Sequence, residues 1–153
     1  MDLILWRHAE AAPEDGNAEG ERKLTAKGRK QAAWISDWLT HRLPAKITVV
    51  SAPARPARET AEALSARVRV SECLAPGGGT DAILEEVGWP NRNGAVVVVV
   101  GHQPDLGRVA ARLISGADAN WTVKKGGLWW LTNRVRNDEA QVVVRAVIAP
   151  DLV

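Results

Sequence analysis

The stretch "AVVVVVGHQPDLGRVA", Ala95–Ala110, decides the fold. Five consecutive valines are apolar on both faces of a strand. Such a strand suits the middle of a parallel sheet whose two faces are covered by helices. A glycine and a histidine follow at once. Pro104 then opens a helix to about Ser115, with Leu106, Val109, Ala110, Leu113 and Ile114 inward. A buried strand that runs straight into a helix is one unit of an α/β chain, and the rest of the sequence repeats that unit.

Upstream, Leu3–Trp6 is a short buried strand. Glu10–Lys23 carries Pro13, Gly16, Asn17 and Gly20 and reads as an exposed loop. Thr25 caps a helix to about Arg42, with Ala32, Ile35, Leu39 and Leu43 as its stripe and Pro44 beyond its end. Ile47–Val50 is a second strand. Pro56 fits the first turn of a helix to about Ala66, followed by the short strand Val68–Val70, the loop Pro76–Gly79 and a helix over Thr80–Gly88. Downstream, Leu128–Thr132 and Val142–Ile148 are two strands joined by a turn at Asn137–Asp138. About nine residues separate them, too few for a crossover helix, so this pair is expected to be antiparallel. The predicted class is α/β: three layers, a mostly parallel central sheet and helices on both faces.

At 153 residues the chain is expected to form a single domain, 1–153, with a real core. Its 20 basic and 18 acidic residues leave a formal charge of +2, too balanced to argue for nucleic acid or an anionic membrane. The lone Cys73 excludes a disulfide framework or a cysteine zinc knuckle. The longest apolar run is too short to span a bilayer, and the N-terminus has no signal-peptide pattern. A cytoplasmic location is therefore expected. Gly77–Gly79 lacks the Gly-Lys-Ser/Thr of a P-loop, and no HExxH or cysteine pair supports zinc. No metal or cofactor is expected.

The first strand ends unusually. "LILWRHAEA", Leu3–Ala11, passes from buried apolar residues to Arg7 and His8, two side chains that resist burial. Arg55 follows the second strand and His102 follows the valine strand. Ligands of open α/β sheets bind outside the carboxyl ends of the strands, where all four residues fall. Helices starting near Pro56 and Pro104 are expected to offer free N–H groups to an anion at the same edge. Two arginines, two histidines and two helix starts describe an anion site.

Five pieces of sequence, in order, resemble the histidine phosphatase superfamily. "RHA" (Arg7–Ala9) stands where that superfamily has Arg-His-Gly. "RKLTAKGRKQA" (Arg22–Ala32), "ARETAEAL" (Ala57–Leu64), "VGHQPDLGRVA" (Val100–Ala110) and "RAVIAPDLV" (Arg145–Val153) are similar to the short, SixA-like phosphohistidine phosphatase branch. The resemblance implies a phosphoglycerate-mutase-like fold without the large inserted cap. It implies that His8 is the nucleophile that becomes phosphohistidine, that Arg7 and Arg55 hold the phosphoryl oxygens, and that His102 completes the pocket. Arg22 and Glu10 are the further substrate contacts. The implied substrate is a phosphorylated protein of the histidine-containing phosphotransfer type, or else a small phosphoester. An inactive phosphate- or phosphoprotein-binding module is the reading from another class. The chemistry agrees, because phosphoryl transfer needs positioning and neutralised charge, which guanidinium forks supply.

Two departures bear on the site. Ala9 replaces the usual glycine. "SAPARPARET" (Ser51–Thr60) stands where the family reads Ser-Pro-x-x-Arg-Ala-x-x-Thr. Counting from Ser51 places the second arginine at Arg55; counting back from Thr60 places Pro56 there; Arg58 is the alternative. No spacing singles out a general acid among Glu10, Asp81, Glu85 and Asp105. His41 is read as a helix-end cation and Arg134 and Arg136 as a solvated strand end. Trp34 and Trp38 are read as packing. Trp129 and Trp130 must face opposite sides of a strand. Lys124–Gly127 is read as a turn whose lysines could greet an acidic partner.

Overall fold

A computed structural model describes residues 1–13 and 19–153. Residues 14–18 of the expected loop lie outside the described residues. One six-stranded mixed sheet organises the molecule. Its strands are β1 (Asp2–Arg7), β2 (Thr48–Ser51), β3 (Arg69–Val70), β4 (Val96–Gly101), β5 (Leu128–Arg136) and β6 (Glu139–Ile148), in the spatial order β3-β2-β4-β1-β5-β6. The valine strand β4 runs parallel to both its neighbours, Val98 pairing with Ile4 on one side and Val49 on the other. β5 is antiparallel to β1 and β6 is antiparallel to β5. The parallel half and the antiparallel hairpin are both as the sequence predicts, although the hairpin strands are longer. Asn137 and Asp138 turn the hairpin with φ of 53° and 62°, the left-handed pair that a tight two-residue loop needs.

The helices are α1 (Ala26–Thr40), α2 (Arg55–Leu64), α3 (Thr80–Val87) and α4 (Asp105–Ser115). Right-handed crossovers put α1 and α2 on one face and α3 and α4 on the other, and α1 packs on α2 and α3 on α4. Thr25 caps α1 by accepting from the Gly28 N–H at 2.9 Å. α1 stops at Thr40, two residues short of the expected end, where His41 bonds back to Asp37. Ala32, Ile35 and Leu39 are buried as expected. Ile114 is not: it lies at the exposed margin of α4.

The tryptophans divide. Trp130 is buried edge-to-face against Trp38, whereas Trp129 lies on the other face against Trp121. Trp34 corrects the expectation of packing, because it is 48% exposed. Two glycines permit close approaches that position the site. A Cβ on Gly28 would collide with the Glu10 carbonyl, and one on Gly107 with the Trp121 carbonyl. α1 is thereby drawn against the segment that follows His8, and α4, which follows His102, is drawn against Trp121.

Candidate active site

The carboxyl ends of β1 and β4 lie side by side, and their pairing sets the backbone of the site. The His8 N–H donates to the Gly101 carbonyl at 3.1 Å, and the His8 carbonyl accepts from the Gly126 N–H at 3.1 Å. The Ala9 N–H donates to Thr60 Oγ1 at 3.0 Å, and Thr60 is itself anchored on the Pro56 carbonyl. The Ala9 methyl is buried with Leu24 and Ala32, which accommodates the replacement of glycine.

The side chains follow from that frame. The His8 and His102 rings meet edge to face, 5.1 Å between centroids. His8 Nδ1 lies 2.8 Å from the Ala9 carbonyl. A carbonyl oxygen only accepts, so Nδ1 carries the proton and Nε2 keeps its lone pair. Burial pushes the His8 pKa down to about 4, and the positive surroundings of His102, Arg7 and Arg22 push the same way against a partial pull upward from the Ala9 carbonyl. His8 is therefore a neutral imidazole at pH 7, with its nucleophilic nitrogen fixed by the bond on the other.

Arg7 donates from Nη1 to the Val123 carbonyl at 2.9 Å, and Arg22 from Nη1 to the Ala12 carbonyl at 3.3 Å. The Nε atoms of both are buried without a partner among the described residues. A buried guanidinium N–H left unpaired costs free energy, which a bound oxyanion recovers. Arg22 and His102 open onto a pocket of about 330 Å³ that is also walled by Glu21, Ala54, Pro56 and Pro76. Arg7, His8, Arg22 and His102 are thus brought together from three separate stretches of chain, and the pocket walls add two more.

Other expected residues stand differently. Arg55 is exposed, and its Nε is paired with Glu59 one turn along α2. Arg58 donates from Nε to the Pro53 carbonyl. It is the buried Pro56, between them, that lines the pocket. Glu10 is turned away from the histidines: its carboxylate accepts from Thr25 Oγ1 at 3.0 Å and lies 4.0 Å from Lys27, at the start of α1. The helix starts also differ from expectation. At α4 the Leu106 and Gly107 N–H groups are taken by the His102 carbonyl and Gln103 Oε1, and at α2 the Ala57 N–H is taken by the Ala54 carbonyl. Local caps have used part of the donors expected at these helix starts.

Among the candidate acids, Asp81 is paired with Arg112 and Glu85 is exposed. Asp105 is buried and accepts from the Gly77 N–H at 3.0 Å, holding the loop that carries Pro76. Glu21 was not among the expected residues, yet it lines the pocket. Its place directly before Arg22 in the chain was the available signal.

Known proteins share both sequence and fold with this chain. The family model of the histidine phosphatase superfamily (branch 1) matches residues 3–76. A Mycobacterium tuberculosis (H37Rv) protein, itself uncharacterized, is 35% identical over 74% of this chain and 73% of its own. The structure of a Nakamurella multipartitia protein designated a phosphohistidine phosphatase, SixA, superimposes with a TM-score of 0.78 at 29% identity, covering 97% of this chain and 95% of that one. A mycobacterial glucosyl-3-phosphoglycerate phosphatase shares the fold at 19% identity, with a TM-score of 0.72 over 97% and 99% of the two chains. On the family model and on the extent of identity to its relative, the chain belongs to the histidine phosphatase superfamily.

Proposed function

We propose that this phosphatase removes the phosphoryl group from phosphohistidine on a protein, by way of a phosphohistidine on His8. The observation that carries the proposal is the Nδ1 bond of His8 to the Ala9 carbonyl, which leaves Nε2 unprotonated on a ring beside His102, Arg7 and Arg22. Nε2 attacks phosphorus as the substrate P–N bond breaks. The substrate imidazole, protonated on its other nitrogen, departs as a neutral ring and needs no proton at the leaving atom. Water then attacks phosphorus, the P–Nε2 bond breaks, inorganic phosphate leaves, and the lone pair returns to Nε2. Arg7 and Arg22 hold the phosphoryl oxygens, and His102 donates to one of them. Arg55 would join them only by leaving Glu59.

Two further points favour phosphohistidine. No spacing in the sequence singles out a carboxylate acid, which an alkoxide leaving group would need more than an imidazole does, although Glu21 lines the pocket. The likeness to the Nakamurella protein extends over nearly the whole chain. We infer a cytoplasmic location; among the described residues no helix is long and apolar enough to cross a membrane.

The test is phosphate release from a phosphohistidine protein, from p-nitrophenyl phosphate and from a sugar phosphate. Preference for the first is expected. Preference for the sugar phosphate would make this a small-molecule phosphomonoesterase, and release from none would leave a binding module.

A further inference from the structure

A second concavity lies on the same edge of the sheet as the histidine pocket. It measures about 640 Å³ and is walled by Lys27, Lys30 and Trp34 of α1 on one side and by Lys124 and Lys125 on the other, with Asp151 at its margin. Its position follows from the topology. α1 begins beyond the carboxyl end of β1. Residues 124–127 lead into Leu128, which pairs with Trp6, and Pro150 follows Ile148, which pairs with Leu128.

Both walls are tied to the segment that carries His8. Glu10 N–H donates to Gln31 Oε1 at 3.0 Å on the α1 side. On the other side Trp6 Nε1 donates to the Gly126 carbonyl at 2.9 Å, and Gly126 N–H donates to the His8 carbonyl. The groove and the nucleophile are therefore parts of one rigid rim.

Its charge is one-sided. Four lysines face one carboxylate, Asp151, which lies 3.6 Å from Lys124, while Lys27 lies 4.0 Å from Glu10. Lys30 and Lys125 make no ion pair among the described residues. Between them Trp34 leaves 48% of its surface in water. A half-exposed tryptophan is a costly thing to leave uncovered and a common anchor of protein interfaces. The lysines are exposed on flexible stems, and no charged side chain in the groove is buried. That is the construction of a docking surface, since a small-molecule site fixes its polar groups.

We propose that this groove receives an acidic segment of the phosphorylated substrate protein, next to its phosphohistidine. The inference rests on the phosphohistidine reading above. It predicts that acidic residues flanking the phosphohistidine are recognised through KM, and that the chemical step is unaffected.

Two synthetic phosphohistidine peptides of equal length test it, one flanked by Asp and Glu and the other by Ser and Gly. For the wild type, kcat/KM should be about tenfold higher on the acidic peptide at low ionic strength, through KM, and the preference should fade with added salt. Lys30→Glu/Lys125→Glu should abolish the preference. It should leave the neutral peptide and p-nitrophenyl phosphate within about twofold of wild type, with an unchanged thermal melt. Trp34→Ala should weaken the preference without altering charge. Equal wild-type rates on both peptides, or a preference that survives the double variant, overturns the groove alone. Binding of phosphatidylserine vesicles through these lysines, with no peptide preference, overturns it in favour of a membrane. Turnover of p-nitrophenyl phosphate with neither peptide cleaved overturns the phosphohistidine reading, and the groove assignment with it.

Discussion

β4 and β6 are both rich in valine, yet they live in different surroundings. Val97 to Val100 of β4 are fully buried, with strands on both sides and helices on both faces. In β6, Val144 and Val147 are 42% and 51% exposed. β6 is an edge strand, and a bulge at Arg145 interrupts its pairing between Trp130 and Leu131. The bulged arginine lies over the Trp130 ring and pairs with Asp2 at 2.8 Å, so the edge carries a fixed charge that discourages further strand pairing. The same residue type packs the core in one strand and coats the surface in the other. Chemistry divides the same way. β1 and β4, the two central strands, end in His8 and His102, whereas the hairpin ends in none of the clustered residues. Rigidity in the middle of the sheet is what a preorganised site requires.

The sharpest way to break this comparison is to remove chemistry from a central strand end. His8→Ala should abolish turnover, since no other group would carry the phosphoryl, and should leave the melting curve close to wild type. Retention of more than a trace of the wild-type rate would show that the nucleophile lies elsewhere. His102→Ala should cost about 10²–10⁴ in kcat/KM, the scale of a positioned hydrogen-bonding or acid–base group. An equal loss on an alkyl phosphate and on p-nitrophenyl phosphate fits a donor to the phosphoryl oxygens. A loss confined to the alkyl ester would make His102 the general acid.

The His8 pKa sharpens the contrast through pH. In the unfolded chain His8 titrates near 6.5, and in the fold near 4. Between those values the unfolded state binds the extra proton. Stability therefore declines as pH falls from about 6.5 to about 4 and levels off below. The full loss from this residue is on the order of 3 kcal/mol. His8→Ala should remove that slope in a urea-unfolding series across pH 4 to 7. The acid limb of kcat/KM should likewise fall nearer pH 4 than 6.5 if neutral His8 is the attacking group.

Packing gives the next contrast. Val99→Ala in β4 should destabilise by about 2 kcal/mol through lost burial and a cavity. Val147→Ala in β6 should stay within about 0.5 kcal/mol, because solvent already reaches that position. Equal effects in chemical denaturation would mean that the hairpin is part of the core. The smallest effect expected is that of Arg55→Ala. With its guanidinium held by Glu59, the variant should lose less than about tenfold in kcat/KM, roughly the energy of an exposed ion pair. A loss matching that of Arg7→Ala would show that Arg55 swings into the pocket during the reaction.

The sequence by itself determined the strand–helix alternation, the valine strand at the centre, the antiparallel hairpin and the placing of Arg7, His8 and His102 at strand ends. These are local signals: apolar periodicity, proline at helix starts, and polar residues where a strand stops. Tertiary structure decided the rest, because it depends on which surfaces meet. Trp34 and Trp38 share a helical spacing, but among the described residues only Trp38 finds an aromatic partner, in Trp130. Arg55 and Arg22 have the same side chain, but the i+4 glutamate captures one while the other reaches the pocket from a distant loop. Three of the N–H groups expected at two helix starts, those of Ala57, Leu106 and Gly107, were claimed by Ala54, His102 and Gln103, choices set by how each chain segment enters its helix. The protonation of His8 followed from its burial and from cations brought near it by the fold, and no spacing in the chain encodes either.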